Sequence, residues 1–283
     1  MKKPIAGLLA LTLFAASCSD NDNPEPQKLA DEYAIIGWDM KFSDENDSSY
    51  FRFTYNADST LKESKEWDQN DNQEDTAYSY ASYLDGKLVK LEYKDGFSGT
   101  KRTEMSYFYK DGKLARISYY SNGGEVYYYD TLYYNAGGKL SEMHTKYESS
   151  PEYNNKKRIL TWTGNNITKV EMHRVDPDNT ANYKLESVET YTYDNKPNLV
   201  SKVVKDDYLW KVESISFEHL SANNATKVEE AFTGTTNKKV RTATFTYDEN
   251  NKLVKLTNLL ESFSGTTLNS SYTATQVLKY VKK

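Results

Sequence analysis

The sequence predicts an all-β protein, an antiparallel meander of about 16–18 strands closed into a barrel-like domain. Three observations predict it: regularly spaced turn pairs, alternating strands beside them, and a composition that suits folded sheet. The pairs Asp85-Gly86, Asp111-Gly112, Gly137-Gly138, Asn165-Asn166, Asn223-Asn224 and Asn250-Asn251 recur at spacings of 26, 26, 28, 58 and 27 residues. Gly, Asn and Asp tolerate the positive φ that tight hairpin turns need. The spacing of 58 reads as two periods, with a turn expected near Asn195-Lys196-Pro197-Asn198, and a weaker turn falls at Ala57-Asp58-Ser59. That makes eight hairpin units from about Tyr50 to Glu261.

Each unit places a Tyr/Thr/Phe-rich strand before the turn, as in Ser106-Tyr107-Phe108-Tyr109, and an alternating strand after it. Val89, Leu91 and Tyr93 are expected on one face, with Lys90 and Glu92 on the other; Ala115, Ile117 and Tyr119 repeat this, as do Val254 and Leu256. Period-two alternation marks a strand with one buried and one wet face. Further strands are expected at Tyr33–Phe42 and Tyr272–Val281, and no segment beyond the amino terminus has a helical period. So many strands in an open sheet would leave exposed edges, which closure removes.

Composition narrows the function classes. The chain has 25 Tyr, 10 Phe and 4 Trp against only 13 Gly and 6 Pro, so it is neither disordered nor collagenous. A mean hydropathy of −0.82 excludes a helical membrane bundle. The formal net charge of −5 leaves no basic surplus for a nucleic-acid partner. One Cys excludes an intrachain disulfide framework and a thiolate metal cluster.

The amino terminus reads as an address. Lys2 and Lys3 precede an apolar run, Ile5 to Ala16, of 12 residues. A spanning helix needs about 20, so the run matches a signal peptide instead. It ends in Phe14-Ala15-Ala16-Ser17-Cys18, which holds the only cysteine. Small residues before a lone Cys resemble the lipobox of bacterial lipoproteins, with Ala15 where Leu is usual. The resemblance implies diacylglycerol on the Cys18 thiol, and two or three acyl chains anchor stably where one does not. The acidic run Ser19-Asp20-Asn21-Asp22-Asn23 resembles the surface-export signal of Bacteroidota lipoproteins. The expected organisation is a signal peptide at 1–17, an acylated Cys and flexible tether at 18–32, and a single β domain at 33–283, held at the cell surface of the outer membrane.

The unit Thr246-Tyr247-Asp248-Glu249-Asn250-Asn251-Lys252-Leu253 resembles the YD, or RHS-type, repeat. With the lipobox, the chain from Tyr33 to Lys283 resembles a family of Bacteroidota surface lipoproteins with a porin-like β fold. That family brings no assigned activity, so no catalytic residue follows from it.

Candidate sites are few. His144, His173 and His219 lie 29 and 46 residues apart, without zinc-site spacing. No Gly-x-Ser-x-Gly elbow or phosphate-binding Gly loop occurs. Asp68, Asn70 and Asn72 alternate along an oxygen-rich loop as calcium ligands do. However, Gln73 stands where a calcium loop has Gly and Ser79 where it has Glu, so the loop reads as a solvated hairpin and no metal or other cofactor is expected. The aromatics are the unusual resource. Most Tyr serve as cross-strand pairs on a half-wet sheet. Outward rings among Trp67, Trp162, Trp210, Tyr127 and Tyr129 are the candidates for stacking on a glycan. The expected function is a non-enzymatic, surface-anchored binding or scaffold module for a glycan or an outer-membrane protein; the alternatives are a hydrolase assembled from distant strands and a purely structural envelope protein.

Overall fold

The computed structural model describes residues 33–43, 48–69, 76–96, 99–149, 155–198 and 217–282. Sixteen strands run in order: β1 Tyr33–Phe42, β2 Ser48–Tyr55, β3 Leu61–Asp68, β4 Ala77–Leu84, β5 Lys87–Asp95, β6 Arg102–Lys110, β7 Lys113–Tyr120 and β8 Val126–Tyr134. They continue as β9 Leu140–Tyr147, β10 Lys156–Thr163, β11 Asn166–Asp176, β12 Asn179–Pro197, β13 Asn223–Phe232, β14 Asn237–Tyr247, β15 Leu253–Ser264 and β16 Thr267–Lys282. Every strand pairs antiparallel with its sequence neighbour, and β1 pairs with β16 to close the barrel. Closure gives each of these strands a partner on both sides, as the edge argument requires.

The turn chemistry places most reversals where the sequence predicts. Asp85 and Gly86 take φ of 51° and 73°, and Asp111 and Gly112 take 51° and 80°, the paired positive values of a type I′ hairpin. The turns at Asn135–Gly138 and Asp248–Asn251 are longer and end in one left-handed residue, Gly138 or Asn251. Two expectations are corrected. The reversal expected at Asn165-Asn166 falls at Gly164-Asn165, and Asn166 already opens β11. Asn195 to Pro197 lie within β12, and Asn223-Asn224 open β13, so the two turns expected there fall in one connection, whose described residues include the 3-10 turn Phe217–Leu220. The units therefore number seven, from β2–β3 to β14–β15, flanked by β1 and β16.

The expected face assignments also need correction. Ser82 opposes Lys90 while Tyr83 opposes Leu88, so Val89 is an extra residue, a β-bulge. Identical shifts occur at Ala115, opposite Phe108/Tyr109, and at Val254, opposite Thr246/Tyr247. The bulge turns Leu88 onto the same face as Leu91. The buried pairs are thus Leu88/Leu91, Leu114/Ile117 and Ile167/Val170, all spaced by three, and they share one core with Tyr107, Leu132 and Leu160. A smaller core joins Ile35, Phe53 and Leu61 beneath Trp38 and Leu278.

The recurring Lys-Leu and aromatic positions interlock at the tight-turn end. Tyr109 donates its hydroxyl to Leu88 O at 3.1 Å, Tyr134 to Leu114 O at 2.8 Å, and Tyr280 to Leu253 O at 2.5 Å. Trp162 does the same through Nε1–H to Leu140 O at 2.7 Å. The Lys before each Leu caps the same ring: Lys87, Lys113, Lys139 and Lys252 lie 5.1, 5.2, 5.1 and 5.1 Å from the centroids of Tyr109, Tyr134, Trp162 and Tyr280. The repeat thus encodes a link between one hairpin and the next. Tyr134→Phe should cost about 0.5–1.5 kcal/mol, one net hydrogen bond. Urea unfolding checks it, with a lower midpoint and an unchanged m-value.

Candidate functional site

The wall opposite the core is polar. Lys65, Lys90, Glu92, Glu142, Lys169 and Glu171 all project from strand interiors on that face, and several pair along or across strands, as in Lys90–Glu92 at 3.1 Å and Lys169–Glu171 at 2.7 Å. A lipid-facing barrel needs an apolar band there, and each Lys or Arg at mid-bilayer costs about 2–4 kcal/mol.

Between β16 and β5 this wall becomes an ordered set of cations and rings. One row of directly opposed residues reads Lys279, Gly37, Arg52, Lys65, Tyr78, Lys94. The next reads Val277, Asp39, Tyr50, Trp67, and a third reads Thr275, Lys41, Ser48. Tyr50 and Trp67 stack with centroids 5.3 Å apart and planes at 24°. The Arg52 guanidinium lies 5.4 Å from the Trp67 centroid, and the Lys65 ammonium 4.9 Å from it and 5.8 Å from that of Tyr78.

The second and third rows border a groove of about 400 Å³ at the seam where β1 closes on β16, lined by Asp39, Lys41, Ser48, Tyr50, Thr273 and Thr275 among others. Asp39 is fixed from both sides, by Arg52 at 2.7 Å on Oδ1 and Lys279 at 2.9 Å on Oδ2. Burial pushes its pKa up, but the hydrogen bonds from Lys279 and Arg52 outweigh that and hold it below the usual carboxylate range. Gly37 makes this possible: with no side chain between Arg52 and Lys279, Arg52 lies across β1 and also donates to Trp38 O at 3.1 Å.

A second polar cluster lies inside the barrel. Asp130, 3% exposed, accepts from Tyr119 at 3.0 Å and from Thr145 at 2.5 Å, and Thr145 in turn accepts from Arg158 at 2.9 Å. Burial, then the Asp130 charge, pushes the Tyr119 phenol far above its ordinary value. On the neighbouring strands Glu189 directly opposes Glu230 and accepts the Tyr191 hydroxyl, while Arg241 pairs with Glu218 and donates to Asn258 at 2.9 Å. Burial raises the pKa of Glu189; the Tyr191 hydrogen bond opposes the rise and the Glu230 charge adds to it.

The sign of the Glu189 effect follows. Its folded pKa lies above the unfolded value of 4.5, so between the two the folded chain holds a proton that the unfolded chain has lost. Stability therefore falls as pH rises through that window and is level above it. Glu189→Gln removes this contribution. Urea unfolding from pH 4 upward should show a shallower decline for the variant, and parallel curves would disprove the assignment.

The sequence-derived candidates separate clearly. Trp67 stands at the centre of the cation–aromatic rows. Trp162 belongs to the hairpin links, its Nε1–H spent on Leu140 O and one face under Lys139. Tyr129 lies on the outer wall with the Arg116 guanidinium 3.8 Å from its ring centroid, so that face is covered. Tyr127, 49% exposed, sits at the rim with its ring edge-on to Tyr128 and Tyr147, 5.6 Å from each. Asp68 accepts from Ser49 at 2.5 Å. Cys18, Asn70, Asn72 and Trp210 lie outside the described residues. Among the described residues no group of three His, Cys, Asp or Glu is placed to hold a metal ion. Sequence reasoning missed Asp39, Arg52, Lys279 and the interior Glu189–Glu230 pair. The one available signal for the first three was Gly37, an isolated glycine within a strand-like run.

No protein-family model matches the chain, and no curated protein matches it. Among solved structures, a porin-like protein from Bacteroides uniformis ATCC 8492 is similar with a TM-score of 0.55 at 12% identity, over 88% of this chain and 98% of that one. A porin-like protein from Bacteroides vulgatus ATCC 8482 gives 0.49 at 11% identity, over 88% and 99%. The first likeness shows the fold, a porin-like β architecture.

Proposed function

We propose that the chain is a lipid-tethered, non-enzymatic binding module at the outer-membrane surface, and that it takes a glycan on the outer wall of β1–β5. The observation that carries this reading is the Tyr50–Trp67 stack beside a groove of charged and hydroxyl side chains. Aromatic faces supply an apolar platform for the C–H face of a sugar, and ionised and hydroxyl groups supply partners for its hydroxyls. The tether rests on the Cys18 reading of the sequence. A charged outer wall suits a domain held beside a membrane rather than within it. No cofactor is needed for this role.

Affinity gels of the full chain cast with polysaccharides test the binding. Retardation that Trp67→Ala abolishes supports the glycan reading. Retention of an outer-membrane protein in pull-downs, with no glycan retardation, supports a protein partner in its place. Cys18→Ser tests the tether: the variant should leave the membrane fraction, and persistence there would refute lipid anchoring. A hydrolase is the second reading, favoured by the Glu189–Glu230 opposition and the raised Glu189 pKa. Release of reducing sugar that Glu189→Gln stops would establish it.

A further inference from the structure

Building on the glycan reading above, we propose that the seam groove between β16 and β2 selects an acidic oligosaccharide bearing uronate carboxylates. The chain as a whole is acidic, with a formal net charge of −5. Beside the groove this reverses: its own lining balances Lys41 against Asp39, and the row beyond Asp39, from β16 to β3, adds Lys279, Arg52 and Lys65 with no acid. A cationic patch on an acidic surface raises the local concentration of an anionic ligand.

The parts have distinct tasks. Asp39 is ionised, and a carboxylate has about four lone-pair sites. Arg52 holds the buried Oδ1 and Lys279 takes one site on Oδ2, which leaves acceptor capacity on Oδ2 for a sugar hydroxyl. Lys41 is exposed on the same face, flanked across the strands by Thr275 and Ser48, and it is placed to meet a ligand carboxylate. Tyr50 supplies the platform, and Trp67 behind it holds that ring in place. Val277, 42% exposed at the far end of the Asp39 row, adds apolar surface.

The test is calorimetric titration of the full chain in detergent with octagalacturonate, its methyl ester and octaglutamate. Octagalacturonate should bind about tenfold or more tightly than the uncharged ester, as a charge-assisted contact gives. The gap should close as salt rises and screens the exposed charges. Lys41→Gln should shrink the gap while ester binding persists; Tyr50→Ala should weaken both sugars; Lys146→Ala, on β9, should change neither. Equal affinity for acid and ester overturns the acidic selectivity and leaves the glycan reading standing. No affinity for either sugar overturns the inference, and if the affinity gels are also negative, the glycan reading falls with it. Octaglutamate binding as tightly as octagalacturonate also overturns it, because charge alone would then suffice.

Discussion

Gly37→Ala should destabilise the barrel by more than about 3 kcal/mol, a large share of the 5–15 kcal/mol that holds a typical domain together. Gly37 has a φ of +148°, which L side chains rarely adopt, and such strain alone costs about 1–3 kcal/mol. A Cβ there would also lie 2.0 Å from Phe51 O and 2.9 Å from Phe51 C, backbone atoms of β2 that cannot swing aside. Strand β1 would have to leave β2, and β1 is the strand that joins β2 to β16. Its displacement would open two sheet edges, so the variant should aggregate as well as melt early. Gly86→Ala is the comparison. Gly86 also has positive φ, 73°, but a Cβ there meets nothing within 4 Å, so only about 1–2 kcal/mol of backbone strain applies. Thermal unfolding with light scattering separates the two; equal losses would mean that seam contact carries no special weight.

The same contrast between local and distant causes decides what the sequence reveals. The turns at Asp85-Gly86 and Asp111-Gly112 were legible because positive φ is a demand of two residues on themselves. The bulges were not, since period-two alternation assumes one residue against one. The better signal was the spacing of three in Leu88/Leu91, Leu114/Ile117 and Ile167/Val170, which fits neither a plain strand nor a helix. Asn223-Asn224 misled because they look like Asn250-Asn251. The difference lies upstream: Asp248 Oδ1 accepts the N–H groups of Asn250 and Lys252 and so builds the turn. The matching position before Asn224 is Ser221, whose hydroxyl accepts from Ile167 N–H instead. At the candidate site Trp67 was nameable from its rarity and polarity alone. The groove beside it was not, because Asp39, Arg52 and Lys279 meet only once β1 closes on β16, a pairing between residues about 240 positions apart.

Asp130→Ala should cost about 3–5 kcal/mol, the loss expected when one member of a buried charged network is removed. Its two carboxylate oxygens take the Tyr119 and Thr145 hydroxyls, and Thr145 passes the connection to Arg158, so the deletion strands groups on three other strands. Thr145 is 2% exposed, and water cannot replace the lost acceptor without opening the sheet. The argument makes a sharper demand than a single loss. If the cost arises from orphaned polar groups, replacing all four together with apolar residues should cost less than Asp130→Ala alone. The variant combining Tyr119→Phe, Asp130→Val, Thr145→Val and Arg158→Met should therefore unfold at a higher urea concentration than Asp130→Ala. If the four substitutions instead lose the sum of their separate effects, the groups act independently and the network account is wrong. Recovery would also show that this interior cluster serves the fold.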